Sequence, residues 1–517
     1  MLRYYLLLAL FPIVECAKIG VFTVALSNSQ MVFVLRIAEA LAEDGHEVVV
    51  VRPEYNPTAN SVKSSNPKIR DIFVKAAPLK AFEEYSRLKH RENFEDWTLF
   101  EYRELSKAVK NLVIEGCSGM LSNDEFIQQI KDEHFDLVFH GHLDFCLHGI
   151  AHHAGIRKWV TTMPMPLNAP HMRELQLPYF NSFLPGLIQN TTMYMSFVER
   201  AQTAFGDFFY GLVSASIIET PTTMLLKKKF GEKFIAVSEL RKQAILSFVN
   251  SDPFLEYPIP VTNKVQYIGG LGTKNPKELK EPFLSFAEKA KSVVVVSFGS
   301  VVTAADMPES WKEALLGLFR MNPEISFVWK FEEDIEVPKN VLRTKWFPQN
   351  DLLALNKTQV FITHGGYNSL GEAVQSATPC VFVPLATDQL RNSMLGQYRG
   401  IGVQLPKREL SAASLHKKLH LILSNSSFRD AAKRYQTLGN SRINSPEEIL
   451  RHWTNLILNH DLDLNLPNLS LVQLYNLDVY AFFFLLLIGF LFVLRTLWKW
   501  YCWSCCEMAY IEKEKLS

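Results

Sequence analysis

Two trains of short apolar runs, each alternating with helix-length segments, constrain this chain more than any other feature of it. In the first, Lys18 to Ala25 reads as a strand, Met31 to Glu43 as an amphipathic helix, Asp44-Gly45 as a turn and His46 to Arg52 as a second strand. Asp136 to His140 and Lys158 to Met163 are further strands of the same kind. The second train starts at Ser292 to Phe298 and continues through Ile325 to Phe331, Gln359 to Thr363, Cys380 to Pro384 and Gly402 to Leu405. Strands of continuous apolar character separated by helices form parallel sheets covered on both faces. The expected fold class is therefore α/β: two doubly wound, Rossmann-like domains with a ligand cleft where the carboxyl ends of their sheets face each other. The proline-dense stretch through Asp252-Pro253, Tyr257-Pro258-Ile259-Pro260 and Asn275-Pro276 to Glu281-Pro282 is the expected interdomain connection.

The chain has 517 residues, enough for two or three domains of ~150 residues each. Lys+Arg 54 against Asp+Glu 53 leaves a formal charge of +1, so no basic excess draws it to nucleic acid. With 48% hydrophobic and 21% charged residues it is no disordered chain.

Both ends point to a membrane. Arg3 followed by an apolar run to Val14, then Val14-Glu15-Cys16, reads as a secretory leader over residues 1–17. Val479 to Leu494 carries no charge, spans about 24 Å as a helix and reaches the ~30 Å of bilayer hydrocarbon if extended to Trp498 with Arg495 snorkelling. Arg495 and Lys499 after it set the tail in the cytosol and the rest in the lumen, a single-pass type I topology. The expected organisation is residues 1–17 leader, 18–262 first domain, 263–446 second domain, 447–478 helix and stem, 479–498 transmembrane helix and 499–517 cytosolic tail. Asn190, Asn356, Asn425 and Asn468 open N-glycosylation sequons on the lumenal side. Cys117, Cys146 and Cys380 are the lumenal cysteines, which allow at most one disulfide, while Cys502, Cys505 and Cys506 fall in the tail.

The chemistry-bearing segment is WFPQNDLLALNKTQVFITHGGYNSLGEAVQSATPCVFVPLATDQ, from Trp346 to Gln389. The strand Gln359 to Thr363 ends in His364-Gly365-Gly366, and a helix opens near Asn368-Ser369. A strand, a glycine turn and a helix N-terminus present free N–H groups that favour a phosphate. The same residues also allow a plainer reading, with Ser369-x-x-Glu372 as a capping box and the glycines as an ordinary turn.

This segment resembles the signature of the UDP-glycosyltransferases, the family of the animal UDP-glucuronosyltransferases and the plant secondary-metabolite glucosyltransferases. Gly45-His46-Glu47-Val48, Val294 to Ser300, the leader, the anchor and the final Lys513-Glu514-Lys515-Leu516-Ser517, similar to a dilysine retrieval signal of the endoplasmic reticulum, extend the resemblance. It implies a GT-B architecture, with UDP-sugar on the second domain and a small lipophilic acceptor on the first. By the same resemblance Trp346 stacks on uracil and Gln349 sits beside base and ribose. Glu372 accepts from the ribose hydroxyls. His364, Gly365, Gly366, Asn368 and Ser369, with the turn Gly299-Ser300, hold the diphosphate, and Asp388 and Gln389 bind the sugar. UDP-sugar is then a co-substrate, with no cofactor and no metal, and Asp461-Leu462-Asp463 is a solvated charge pair. Homo- or hetero-dimerisation is a further expectation.

One part of the pattern fails. In this family a histidine at the end of the first strand serves as general base, oriented by a carboxylate. Counting back sixteen residues from His46 lands on Gln30, which cannot take a proton at neutral pH. The orienting acid's position falls on Gly141, flanked by His140, His142 and Asp144. Asp144 is a candidate for that acid. Either the acceptors are nucleophilic amines, or His140 or His142 supplies the base from across the cleft. Otherwise catalysis is impaired, and the protein binds UDP-sugar or lipophiles or regulates an active partner. The cluster His140, His142, His148, His152 and His153 also invites a metal reading, against which stands a role lining the acceptor pocket.

Overall fold

The computed structural model of the protein describes residues 16–515 except 25, 57–60, 65, 96, 98, 274, 300–306 and 468. The leader up to residue 15, Ser300 and Asn468 lie outside the described residues. Two units result, a body up to Asn465 and a separate unit from Leu466 onward.

Among the described residues the body contains two all-parallel sheets. Seven strands form the first: β1 Lys18–Phe22, β2 Glu47–Glu54, β3 Ile69–Lys75, β4 Leu137–Gly141, β5 Trp159–Met163, β6 Ser247–Val249 and β7 Val265–Tyr267, in the order β3-β2-β1-β4-β5-β6-β7. Six form the second: β8 Val293–Ser297, β9 Ser326–Lys330, β10 Val341–Thr344, β11 Thr358–Thr363, β12 Cys380–Phe382 and β13 Gly402–Gln404, in the order β10-β9-β8-β11-β12-β13. In each, the winding direction reverses once, between β1 and β4 and between β8 and β11. These are the switch points outside whose carboxyl ends a crevice opens.

Strict alternation along each strand feeds two cores. Val48 and Val50 join the layer with Met31, Val34, Ile37 and Leu41, while Val49 and Val51 join the opposite one with Leu112, Phe126 and Ile150. Val294 and Val296 pack with Trp311, Leu315 and Phe319, whereas Val293 and Val295 face Leu352, Leu370 and Leu395. Each fully buried aliphatic side chain contributes roughly 1.5–3 kcal/mol, which is why these strands read as unbroken apolar runs.

Two boundaries differ from expectation. β7 pairs with β6, Val249 opposite Tyr267, so the first sheet runs past the 262/263 boundary, and the second sheet begins only at Val293. The helix Pro446–Asn459 returns to the first half: Leu450 and Ile457 enter the core beside Val34 and Ile37. Arg451 Nε pairs with Asp44 at 2.5 Å, and Lys158 Nζ donates to the Ile457 carbonyl at 2.8 Å. Beyond the body, one helix runs Leu477–Lys515, past the end expected at 498. Its segment Leu477–Ser504, in which the most apolar 18 residues have mean hydropathy 2.6, is long and apolar enough to cross a membrane.

Candidate active site

β8 and β11 lie side by side, Ser297 opposite Thr363, and both end in glycine turns. Gly299 and Gly365 have φ of 79° and 80°, a region that favours glycine. Space imposes a second requirement. A Cβ on Gly299 would lie 2.6 Å from His364 Cε1, and one on Gly366 would lie 2.7 Å from His364 Nε2. Bare backbone thus grips the imidazole from both turns. Burial pushes the His364 pKa down to about 4, and the Lys330 ammonium adds to the effect. At neutral pH His364 therefore carries a single N–H.

Lys330, at the carboxyl end of β9, donates from Nζ to the Gly299 carbonyl at 2.6 Å. It fastens this turn, a role that sequence reasoning missed although the last position of a strand next to the central one was a signal.

The helix Tyr367–Gln375 opens with Gly366 as its N-cap and no side-chain cap, so its first N–H groups are free of intrahelical partners. The capping-box alternative for Ser369 and Glu372 is overturned, because Glu372 accepts from Gln349 Nε2 instead. Burial raises the Glu372 pKa, while the Gln349 bond and the Arg36 guanidinium act against that rise. Gln349 heads the helix Gln349–Leu353, and Trp346 just before it is 69% exposed, leaving its indole face open. Ser369 is buried in the first helical turn, and the Asn368 Oδ1 accepts from Asn250 Nδ2 of the first half at 2.8 Å. Asp388 accepts from Asn392 Nδ2 at 2.7 Å, and its pKa is raised by burial. Gln389 spends Oε1 on the backbone N–H of Leu385 and Ala386, which leaves Nε2 as its donor. Thr387 between them sits at φ 55°, strain of the kind held at ligand sites.

At the other switch point, Phe22 of β1 lies opposite His140 of β4. Gln30 stands in the first turn of the helix Asn28–Glu43 and is structurally occupied: its N–H donates to the Ser27 hydroxyl, and its Oε1 accepts from Leu26 N at 3.0 Å. Ser27-x-x-Gln30 is a capping sequence, a signal that the alignment with a catalytic position had obscured.

His140 Nδ1 meets Asp144 Oδ2 at 2.7 Å in a buried pair, with the Leu147 N–H on Asp144 Oδ1 at 3.0 Å. With the carboxylate on Nδ1, Nε2 holds the free lone pair, the tautomer a general base needs. His148 stacks on His140 at 3.7 Å with 19° between the rings, and it hydrogen-bonds the Asp144 carbonyl through Nδ1. His140, Asp144 and His148 bring their ligand-type atoms within 4.8 Å of one another. Near-parallel stacked rings, however, aim their in-plane lone pairs side by side instead of at one point.

The remaining histidines go elsewhere. Burial, then His171 and Arg241, push the His142 pKa down to about 3. His153 stacks on Phe230, and His152 packs edge-on against Phe234. Arg241, which sequence reasoning did not single out, lies over Phe145 at 3.9 Å and donates to Glu174 at 2.6 Å and to the His142 carbonyl at 2.7 Å. The disulfide Cys117–Cys146, Cα–Cα 5.6 Å, ties the helix Leu99–Leu121 to the helix Cys146–His153 that carries His148.

The family model described as "UDP-glucoronosyl and UDP-glucosyl transferase" matches residues 18–512. The chain belongs to this family. Its curated relatives include the putative UDP-glucuronosyltransferase ugt-48 of Caenorhabditis elegans, 28% identical, covering 93% of this chain and 94% of that protein. UDP-glucuronosyltransferase 1A1 of Rattus norvegicus is 24% identical, covering 93% of this chain and 91% of that one. Among solved structures, the glycosyltransferase VinC in complex with dTDP aligns with a TM-score of 0.59 at 15% identity, covering 86% of this chain and all (100%) of that one. The glycosyltransferase of kitacinnamycin aligns with a TM-score of 0.58 at 17% identity, covering 85% and 97%. Members of the family bind UDP-sugar donors and acceptors, and the two parallel sheets with their helices described above are those of a GT-B glycosyltransferase fold.

Proposed function

We propose that this enzyme transfers glucuronate or glucose from a UDP-sugar to small lipophilic acceptors, with inversion and without a metal, at the lumenal side of the endoplasmic-reticulum membrane. The observation that carries the reading is the donor cradle, in which two glycine backbones close on His364 beside an uncapped helix N-terminus. Free N–H groups there and the His364 N–H meet the charge that grows on departing UDP. The Gln349–Glu372 pair offers a carboxylate to the ribose diol, and Asp388 one to the sugar. The acceptor hydroxyl gives its proton to His140 Nε2, its oxygen bonds to the anomeric carbon from the face opposite the phosphate, and the carbon–phosphate oxygen bond breaks. Asp144 keeps the imidazole oriented and balances its positive charge.

Incubating the full chain in mild detergent with radiolabelled UDP-glucuronate and UDP-glucose against phenols and amines tests this. Transfer is expected, and His140→Ala should slow phenols by about 10²–10⁴-fold while sparing amines, which need less deprotonation. Equal phenol and amine rates that survive His140→Ala would remove His140 from the base role.

A second reading, a relative that binds UDP-sugar or lipophiles or regulates an active partner by dimerising, is favoured by Gln30, whose amide oxygen is committed to Leu26. UDP binding without transfer to any acceptor selects it. The lumenal placement is supported by the disulfide and by the exposure of Asn190, Asn356 and Asn425. Glycans of the untrimmed endoplasmic-reticulum type are expected, and complex glycans with Lys513 and Lys515 intact would contradict it.

A further inference from the structure

β6 ends at Val249, and the three residues after it, Asn250-Ser251-Asp252, dock on the first two residues of the helix Tyr367–Gln375. Ser251 and Asp252 take the Tyr367 hydroxyl, and Asn250 takes Asn368. Asn250 is 6% exposed, and its backbone N–H is fixed on the Met163 carbonyl at 2.8 Å, at the carboxyl end of β5. Its Nδ2 donates to the Pro164 carbonyl at 3.1 Å and to Asn368 Oδ1 at 2.8 Å. The two ends of a side-chain amide have nearly the same shape, so their partners decide which way it points. A carbonyl accepts and never donates. Pro164 therefore compels Asn250 to present Nδ2, and both hydrogens of that NH2 group are then spent. Asn368 must answer with its oxygen. Its own Nδ2 is turned away from Asn250 and has no hydrogen-bond partner among the described residues. Asn368 stands in the uncapped first turn of its helix, so this NH2 group joins backbone N–H groups that also seek an acceptor. The opposite orientation of the amide would turn an oxygen lone pair outward in its place.

We infer that Asn250, a residue of the first half, is a positioning residue for the donor diphosphate and acts by holding Asn368 with its NH2 group toward the anion. The inference rests on the reading of the glycine turns and this helix as the diphosphate site, and the experiment separates the two. Calorimetry of the full chain in mild detergent compares UDP with uridine, which lacks the diphosphate. Wild type should bind UDP the more tightly. Asn250→Asp offers Asn368 a carboxylate, which only accepts, so the Asn368 amide turns over and points its oxygen at the phosphates. UDP affinity should then fall about 10–100-fold, as for a lost hydrogen bond to a charged group, while uridine affinity stays within about twofold and reports that the variant is folded. A new negative charge also repels UDP directly, so the same substitution is repeated in Asn368→Ala, where the loss should shrink to the direct repulsion alone. A loss undiminished in Asn368→Ala would show that the charge acts without the amide and would overturn the proposal. Asn250→Ala adds no charge but frees Asn368 to turn, and it should give a smaller loss that is again confined to UDP. Equal losses for UDP and uridine in either variant would make Asn250 a structural tie between the halves and refute the positioning role. A wild-type preference for UDP that survives both substitutions would also refute it and leave the diphosphate site standing, whereas a wild type that binds UDP no better than uridine would remove the site and the proposal together.

Discussion

Glu372 and His364 have different roles in the proposed donor site, and their environments make the difference measurable. Glu372 is a carboxylate held by one amide and raised in pKa by burial, so deleting it removes an acceptor for the nucleotide together with the anchor of Gln349. Glu372→Ala is expected to weaken UDP binding by about 1–3 kcal/mol, and calorimetry of the folded variant checks it. Loss of stability with unchanged UDP affinity would return Glu372 to a purely structural role. His364 is 7% exposed and stays neutral down to a pKa of about 4, against about 6.5 in the unfolded chain. Because the unfolded state takes up the proton first, the His364 contribution to stability is complete above pH 6.5. It is lost progressively as the pH falls toward 4, by about 3 kcal/mol in all. Thermal unfolding of the detergent-solubilised protein between pH 7 and 4.5 should show this slope in wild type and a shallower one in His364→Gln. Identical slopes would mean that the imidazole is not buried neutral.

Among the elements, the Cys146–His153 helix depends most on a covalent tie. The 29-residue separation closed by Cys117–Cys146 removes chain entropy from the unfolded state worth about 3–4 kcal/mol, and the bond sets this helix beside Asp144 and His140. Cys146→Ser should lower the unfolding temperature, and a reductant should lower it in wild type while leaving the variant unmoved. Equal sensitivity of both to reductant would disprove the pairing. The strands β3, β6 and β7, which sequence reading missed, have polar residues within their apolar runs. β6 and β7 are three residues each and carry the polar Ser247 and Gln266 in their short runs. β3 carries Arg70, Asp71 and Lys75 among its apolar positions because it is an edge strand with one side toward solvent.

Across the whole body, the two halves are held together by a buried polar seam. Arg391 of the second half donates to Glu256, between β6 and β7 of the first half, at 2.6 Å and 3.2 Å, with both side chains almost fully buried. Tyr367 OH meets the Ser251 hydroxyl at 2.8 Å and accepts from Asp252 N at 3.1 Å. Removing one member of a buried pair strands the other charge, so Glu256→Gln should destabilise by about 3–5 kcal/mol. Glu256→Gln combined with Arg391→Met, which leaves no ionic group there, should recover much of the loss in thermal unfolding. A double variant no better than the single would show that the seam acts through shape and not through charge.

The residue pattern alone determined the α/β class, the two trains of buried strands and the glycine turn that opens the helix Tyr367–Gln375, because burial on both sheet faces and a glycine turn before a helix leave local signatures. Tertiary structure alone decided what depends on contacts distant in sequence. It took Glu372 from a cap on its own helix to Gln349, 23 residues away, and gave Gln30 a structural bond. It drew β7 and the helix Pro446–Asn459 into the first half, because that half's sheet edge and the apolar face of Asn28–Glu43 needed covering. It also separated the five histidines, stacking His140 on His148 while His152 and His153 found phenylalanines, since helix periodicity says which residues share a face but not what that face meets.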